Sequence, residues 1–141
     1  MLIKFKRLHK NAILPKYAHP GDAGMDLFSL ETYILEPGKC HPFALGFSLE
    51  FPEGYTALVW DKGSLPFKHG LHVIGGVFDT GYRGEYIIML INLNDKPYKI
   101  EKGDKIAQLL IQPVVKAQLE EVKELSKTSR GGGRLGSTGK K

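Results

Sequence analysis

The sequence predicts an all-β domain, and three observations support that prediction. Across residues 43–51 the chain alternates strictly, with Phe43, Leu45, Phe47, Leu49 and Phe51 separated by Ala44, Gly46, Ser48 and Glu50. This is the period-two pattern of a strand with one buried face. Short apolar runs recur along the chain, separated by turn-rich pieces: "HPGDAG", "EPGK", "PEG", "DTGYRG", "LNDKP" and "EKGD". Many short strands with Gly, Pro and Asp punctuation imply a sandwich or barrel. Helical spacing competes mainly in "VVKAQLEEVKEL", where Leu119, Val122 and Leu125 recur every third residue; that segment reads as strand or short helix.

In chain order, the extended elements are residues 2–8, residues 33–35, the alternating run at 43–51, and residues 55–60. A single helical turn fits "GSLPFKH" at 63–69, and Pro66 argues against a long one because it lacks an amide donor. Residues 71–74 are extended. "GGVFDTGYRGE" at 75–85 reads as a strand, a tight hairpin and a second strand that continues through residues 85–92. Residues 98–100 and 105–115 complete the set.

A length of 141 residues suits one domain with a real core. Hydrophobic and charged fractions of 42% and 25% exclude general disorder, and no apolar stretch approaches the roughly 18 residues of a transmembrane helix. The first ten residues, "MLIKFKRLHK", thread charges through apolar positions and do not read as a signal peptide, so a cytoplasmic protein is expected. The single cysteine, Cys40, has no partner for a disulfide or a metal site. Residues 1–126 carry 15 basic and 15 acidic side chains, so the net charge of +5 comes wholly from Lys127, Arg130, Arg134, Lys140 and Lys141. The expected organisation is a neutral β domain at 1–126 and a basic, glycine-rich arm at 127–141. A neutral body is a poor platform for nucleic acid.

Three glycine-flanked polar stretches carry candidate chemistry. Asp26 in "AGMDLFS" stands at a strand start, where an aspartate also serves simply as a turn residue. Asp79 in "GGVFDTGYRGE" lies beside the turn, as a turn cap or as a carboxylate held for chemistry. Gln108 is an out-of-place amide in the apolar strand of "KGDKIAQLL".

In order, "AGMDLFS", "DKGSLPFKHG", "GGVFDTGYRGE", "KGDKIAQLL" and "RGGGRLGSTG" resemble the five motifs of the homotrimeric dUTP pyrophosphatases (dUTPases), in register from residue 23 to residue 139. The resemblance implies a jelly-roll-like β-clip fold with a flexible C-terminal arm, a homotrimer with active sites at subunit interfaces, and Mg2+-dependent hydrolysis of dUTP to dUMP and pyrophosphate. Mg2+ would be carried mainly by substrate phosphates and water, without a protein cage.

By the same resemblance Asp79 matches the catalytic aspartate, and a carboxylate fixed against a bound water suits a general base. The backbone of Gly76, Val77 and Phe78 matches the uracil reader, and Tyr82 matches the tyrosine that packs on the deoxyribose. Lys62, Gly63 and Ser64 fall where the family usually has Arg-Ser-Gly, so a point charge replaces the planar fork of arginine. Gln108 matches a glutamine that helps place phosphate and water. Asp26 and Arg83 support these groups. In the arm, Arg130, Gly136, Ser137 and Thr138 would grasp the triphosphate, and Leu135 stands where the family has a phenylalanine that stacks on uracil.

Three other readings compete. The related dCTP deaminases carry a glutamate on the strand after the hairpin, where this chain has Met89, and a thioether cannot shuttle a proton. A nucleic-acid module would use the arm as an Arg-Gly-Gly segment, yet the arm has one "RGGGR" and no aromatic residue. A catalytically weak regulatory member would share the fold and differ at residues 62–64 and 135.

Overall fold

The computed structural model describes residues 1–134 and Gly139. Among these residues, eleven strands and one short helix follow in the order β1 (Lys4–Arg7), β2 (Met25–Phe28), β3 (Tyr33–Leu35), β4 (Cys40–Ala44), β5 (Phe47–Glu50), β6 (Tyr55–Asp61), α1 (Ser64–His69), β7 (Leu71–Ile74), β8 (Val77–Phe78), β9 (Ile87–Asn92), β10 (Tyr98–Ile100) and β11 (Lys105–Pro113). A four-stranded sheet of order β2-β11-β6-β8 and a three-stranded sheet of order β4-β9-β7 are joined by the pairs β1-β5 and β3-β10. Every pairing is antiparallel. The core between them is built from Leu27, Leu35, Phe43, Phe47, Tyr86, Ile88, Ile106 and Leu109, among others. No helix of the described residues is long and apolar enough to cross a membrane.

The all-β class is as the sequence predicts, and the elements at residues 33–35, 71–74 and 98–100 match their expected bounds. The alternating run at 43–51 differs. It is two strands, β4 and β5, that belong to different sheets and part at Gly46. Gly46 has φ +71°, and a side chain there would meet His9 Cβ at 2.7 Å and Leu30 Cδ1 at 2.7 Å. A positive φ without steric room leaves only glycine. Its carbonyl accepts the amides of Leu8 and His9, so the break also anchors the end of β1.

The segment at 75–85 is not a hairpin. β8 pairs with β6, through Ala57 with Phe78 and Leu58 with Val77, while β9 pairs with β4 and β7. Residues 79–86 therefore bridge two sheets. Tyr86, fully buried, anchors the bridge by stacking on Phe78 at 4.3 Å between centroids and on Phe47 at 5.3 Å.

α1 is the single helical turn expected near residue 64. Pro66 sits within its first turn, where the missing amide costs nothing, and Gly70 caps its end in the left-handed conformation. β11 ends at Pro113, and residues 114–134 are exposed and form neither strand nor helix. "VVKAQLEEVKEL" thus adopts neither of the two forms its spacing allows, because nothing in the described chain covers Val115 or Leu119.

Candidate active site

Two groups of candidate residues lie on the four-stranded sheet. The first is at the end where β6 leaves for α1. Asp26 on β2 faces Gln108 on β11, which in turn faces Trp60 on β6. Asp26 is fully buried, and Lys62 Nζ donates to its Oδ1 at 2.5 Å. Its Oδ2 makes no aligned hydrogen bond but lies 2.7 Å from Lys105 Nζ. Burial pushes the Asp26 carboxyl up, yet the Lys105 and Lys62 ammoniums more than offset this and hold it below its ordinary value. Two lysines thus converge on one carboxylate while both stay partly open to solvent, an arrangement suited to a polyanion.

Gln108 is held from two sides. Its Nε2 donates to Asp61 O at 2.8 Å, and a side chain on Gly24 would stand 2.6 Å from its Oε1. Gly24 therefore supplies the space that the amide occupies. Asp61 is itself fixed, its Oδ1 accepting the Val73 amide at 2.6 Å and its Oδ2 lying 2.7 Å from His72 Nδ1. Gly63 and Ser64 are exposed at the start of α1, where the Lys62 carbonyl accepts the Leu65 amide at 2.7 Å.

The second group surrounds β8. Val59 N–H donates to Gly76 O at 2.7 Å, and Thr56 Oγ1 donates to Phe78 O at 2.9 Å. Because alternate residues of an antiparallel strand face the partner, the N–H and C=O of the exposed Val77 face away from β6. Asp79 follows at once and is exposed; its carboxylate has no hydrogen-bond or ion-pair partner among the described residues. Its carbonyl accepts the Tyr82 amide at 3.0 Å, which closes a turn. Arg83 Nη1 braces that turn by donating to Thr80 O at 2.6 Å and Tyr82 O at 3.0 Å. The Tyr82 ring lies edge-on to Tyr86, and its hydroxyl donates to Glu85 O at 2.8 Å. Burial pushes the Tyr86 phenol far above its ordinary value, so it stays neutral under the site.

The structure brings Asp26, Lys62 and Gln108 together, and separately Gly76, Val77, Phe78, Asp79, Tyr82 and Arg83. The two groups adjoin at one cavity, lined by Asp61, whose carbonyl holds Gln108, and by Gly76 and Val77, and they diverge from there. Asp79 adjoins the Ala57 end of the β6–β8 pairing, whereas Lys62 follows the far end of β6, roughly 16 Å along the strand. Arg130 lies on the exposed segment, where its Nε donates to Gly133 O at 3.0 Å. Leu135, Gly136, Ser137 and Thr138 lie outside the described residues. Lys105 is the partner that sequence reading missed: in "EKGDK" it looks like one more turn lysine, and its ion pair joins the adjacent strands β11 and β2. Met89, which stands where a deaminase would need its glutamate, sits half-buried on β9 opposite Pro42 and Ile74.

The dUTPase family model matches residues 10–139. The chain belongs to the dUTPase family. Deoxyuridine 5'-triphosphate nucleotidohydrolases of Clostridium tetani and Clostridium acetobutylicum are similar, at 49% and 45% identity over 98% and 99% of this chain and 97% of each relative. Among solved structures, the dUTPase of Staphylococcus bacteriophage 80alpha with dUpNHpp superposes with a TM-score of 0.91 at 32% identity, over 98% of both chains. A mutant dUTPase of phage phi11 of S. aureus, described with coordination of a structural Mg(II) ion, is similar at a TM-score of 0.83 and 28% identity, over 90% of this chain and all of that one. The fold is thus shared with solved dUTPases along nearly the whole chain.

Proposed function

We propose that this chain hydrolyses dUTP to dUMP and pyrophosphate, at sites that subunits of a homotrimer share. The observation that carries the reading is the placement of the motif residues along β6: a lysine pair on a shared buried carboxylate beside Gln108 near Asp61, and the open edge of Val77 followed by the exposed Asp79 further along the strand. In the trimer that the family resemblance implies, a triphosphate meets the β8 group of one subunit and the lysine group of a neighbour. The arm of residues 127–141 then reaches a site from outside, with Arg130, Ser137 and Thr138 as phosphate donors and Leu135 as an apolar cover on the base.

In this reading Val77 presents one donor and one acceptor from a sheet edge, complementary to the edge of uracil, and the Tyr82 ring lies against the sugar. Lys62 and Lys105, aligned by the carboxylate they share, hold phosphate oxygens, and Gln108 orients phosphate and water. Asp79 accepts a proton from the attacking water as its oxygen bonds the α-phosphorus in line. The bond from that phosphorus to the bridging oxygen breaks, and pyrophosphate carries the electron pair away. Both Asp26 oxygens are engaged by lysines, and among the described residues no group of three metal-ligating side chains exists. A Mg2+ carried mainly by substrate phosphates and water is part of this reading. Bound in that way, the ion neutralises charge on the phosphate oxygens. A cytoplasmic location belongs to the same proposal.

Pyrophosphate release from dUTP, UTP, dTTP and dCTP, with and without Mg2+, tests the reading. Release confined to dUTP and dependent on Mg2+ is expected. Equal rates with dUTP and UTP would refute the deoxyuridine assignment, and ammonia from dCTP would replace hydrolysis by deamination.

A further inference from the structure

We propose that Gly84 is a specificity-determining position, because its missing side chain leaves the space in which the Tyr82 ring is latched. This rests on the reading that Tyr82 packs against the deoxyribose. The Tyr82 hydroxyl donates to Glu85 O at 2.8 Å, so the ring folds back over residue 84. A Cβ on Gly84 would stand 2.4 Å from Tyr82 Oη, 2.6 Å from Cζ and 2.8 Å from Cε2. That is about 1 Å inside ordinary contact.

Something must yield, and the chain on either side is held. Ser48 Oγ donates to Arg83 O at 2.9 Å, Glu85 Oε1 accepts the Gly46 amide at 2.8 Å, and the Tyr86 amide donates to Phe47 O at 2.9 Å. Residues 83, 85 and 86 are thereby tied to residues 46–48 around Gly84. The Tyr82 side chain, by contrast, is 40% exposed and has solvent to move into. The ring is the part that gives way. Backbone preference does not explain the glycine, since Gly84 lacks a positive φ. Gly81 lies in the same loop and also lacks a positive φ, but a Cβ on it would meet nothing within 4 Å, so the two glycines differ only in what a side chain would encounter.

A ring shifted by about 1 Å no longer closes the space beside the sugar C2′, where a ribose carries its hydroxyl. Gly84→Ala is expected to lower the ratio of kcat/KM for dUTP over UTP by about tenfold or more. Gly81→Ala is expected to leave that ratio within about twofold. In a Tyr82→Ala background, Gly84→Ala is expected to add no further fall, because its effect passes through the ring. An unchanged ratio in folded Gly84→Ala overturns the inference. So does an equal fall in the Tyr82→Ala background, or failure of Gly84→Ala to fold, because the ring would then not be the element that yields. If the wild-type chain itself hydrolyses dUTP and UTP equally, or neither, it is the reading of the site that falls.

Discussion

Replacing Asp26 by Asn tests the charge arrangement under the phosphate site. In the wild type a fully buried carboxylate faces Lys62 at 2.5 Å and Lys105 at 2.7 Å. An amide of the same shape keeps one acceptor for one lysine and turns an N–H donor toward the other, so two ammoniums are left close together without a compensating charge. Removing one side of a fully buried ion pair costs about 3–5 kcal/mol. The lysine side chains here keep 30% and 43% of their exposure, so water screens part of the repulsion and about 2 kcal/mol is the reasonable figure. For a chain of this length that corresponds to a fall in Tm of about 6 °C. Thermal unfolding by circular dichroism, at one protein concentration because assembly shifts Tm, measures it. The pH dependence supplies a second check. The folded-state Asp26 pKa is below its ordinary value of 3.8, so its stabilisation is fully present above that pH and is lost as pH falls through the folded-state value. The Asn variant should lack that acid-side component. A Tm within about 1–2 °C of wild type at pH 7, with an unaltered acid limb, would refute the coupling of the three side chains.

Three further outcomes are expected. Asp79→Asn keeps the shape and hydrogen-bonding surface of an exposed, unpartnered carboxylate but cannot take a proton; turnover should fall by about 100-fold or more while dUTP binding, measured by calorimetry, is nearly unchanged. Gly76→Ala puts a Cβ 2.1 Å from the Val59 carbonyl oxygen, a backbone atom of a central strand, so β8 must shift. A loss of about 1–3 kcal/mol in stability and faster hydrogen exchange at the Val59 amide are predicted, and exchange equal to wild type would contradict the β6–β8 pairing. Deleting residues 130–141 should sharply reduce turnover and leave Tm unchanged, because residues 114–134 are exposed and unpacked in the single chain. An unchanged rate in a steady-state assay would leave the arm without a role in the site.

Legibility in the sequence varied with the range of the interaction concerned. The strands at 33–35, 71–74 and 98–100 follow from local punctuation alone, and α1 from a short polar segment with a proline near its start. The run at 43–51 shows the limit. Its alternation correctly marks Phe43, Leu45, Phe47, Leu49 and Phe51 as buried, yet Ser48 is buried too, and the strand breaks at Gly46, whose φ of +71° lies outside the extended region. Asp26 and Gln108 could be singled out as polar residues in apolar surroundings. Lys105 could not, since only the pairing of β2 with β11, far apart in sequence, brings it to Asp26.

From the order of its residues alone this chain is an all-β protein with a neutral body, a basic glycine-rich end and five motifs in a defined register. Those properties depend on side-chain alternation, turn chemistry and charge count, each set by neighbours a few residues apart. Only the tertiary structure decided that β8 joins β6 instead of folding back on β9, that two lysines share one buried aspartate, and that both candidate groups lie along β6. These depend on closing long loops around a packed core, where the outcome is set by which distant surfaces fit, and no local pattern records that.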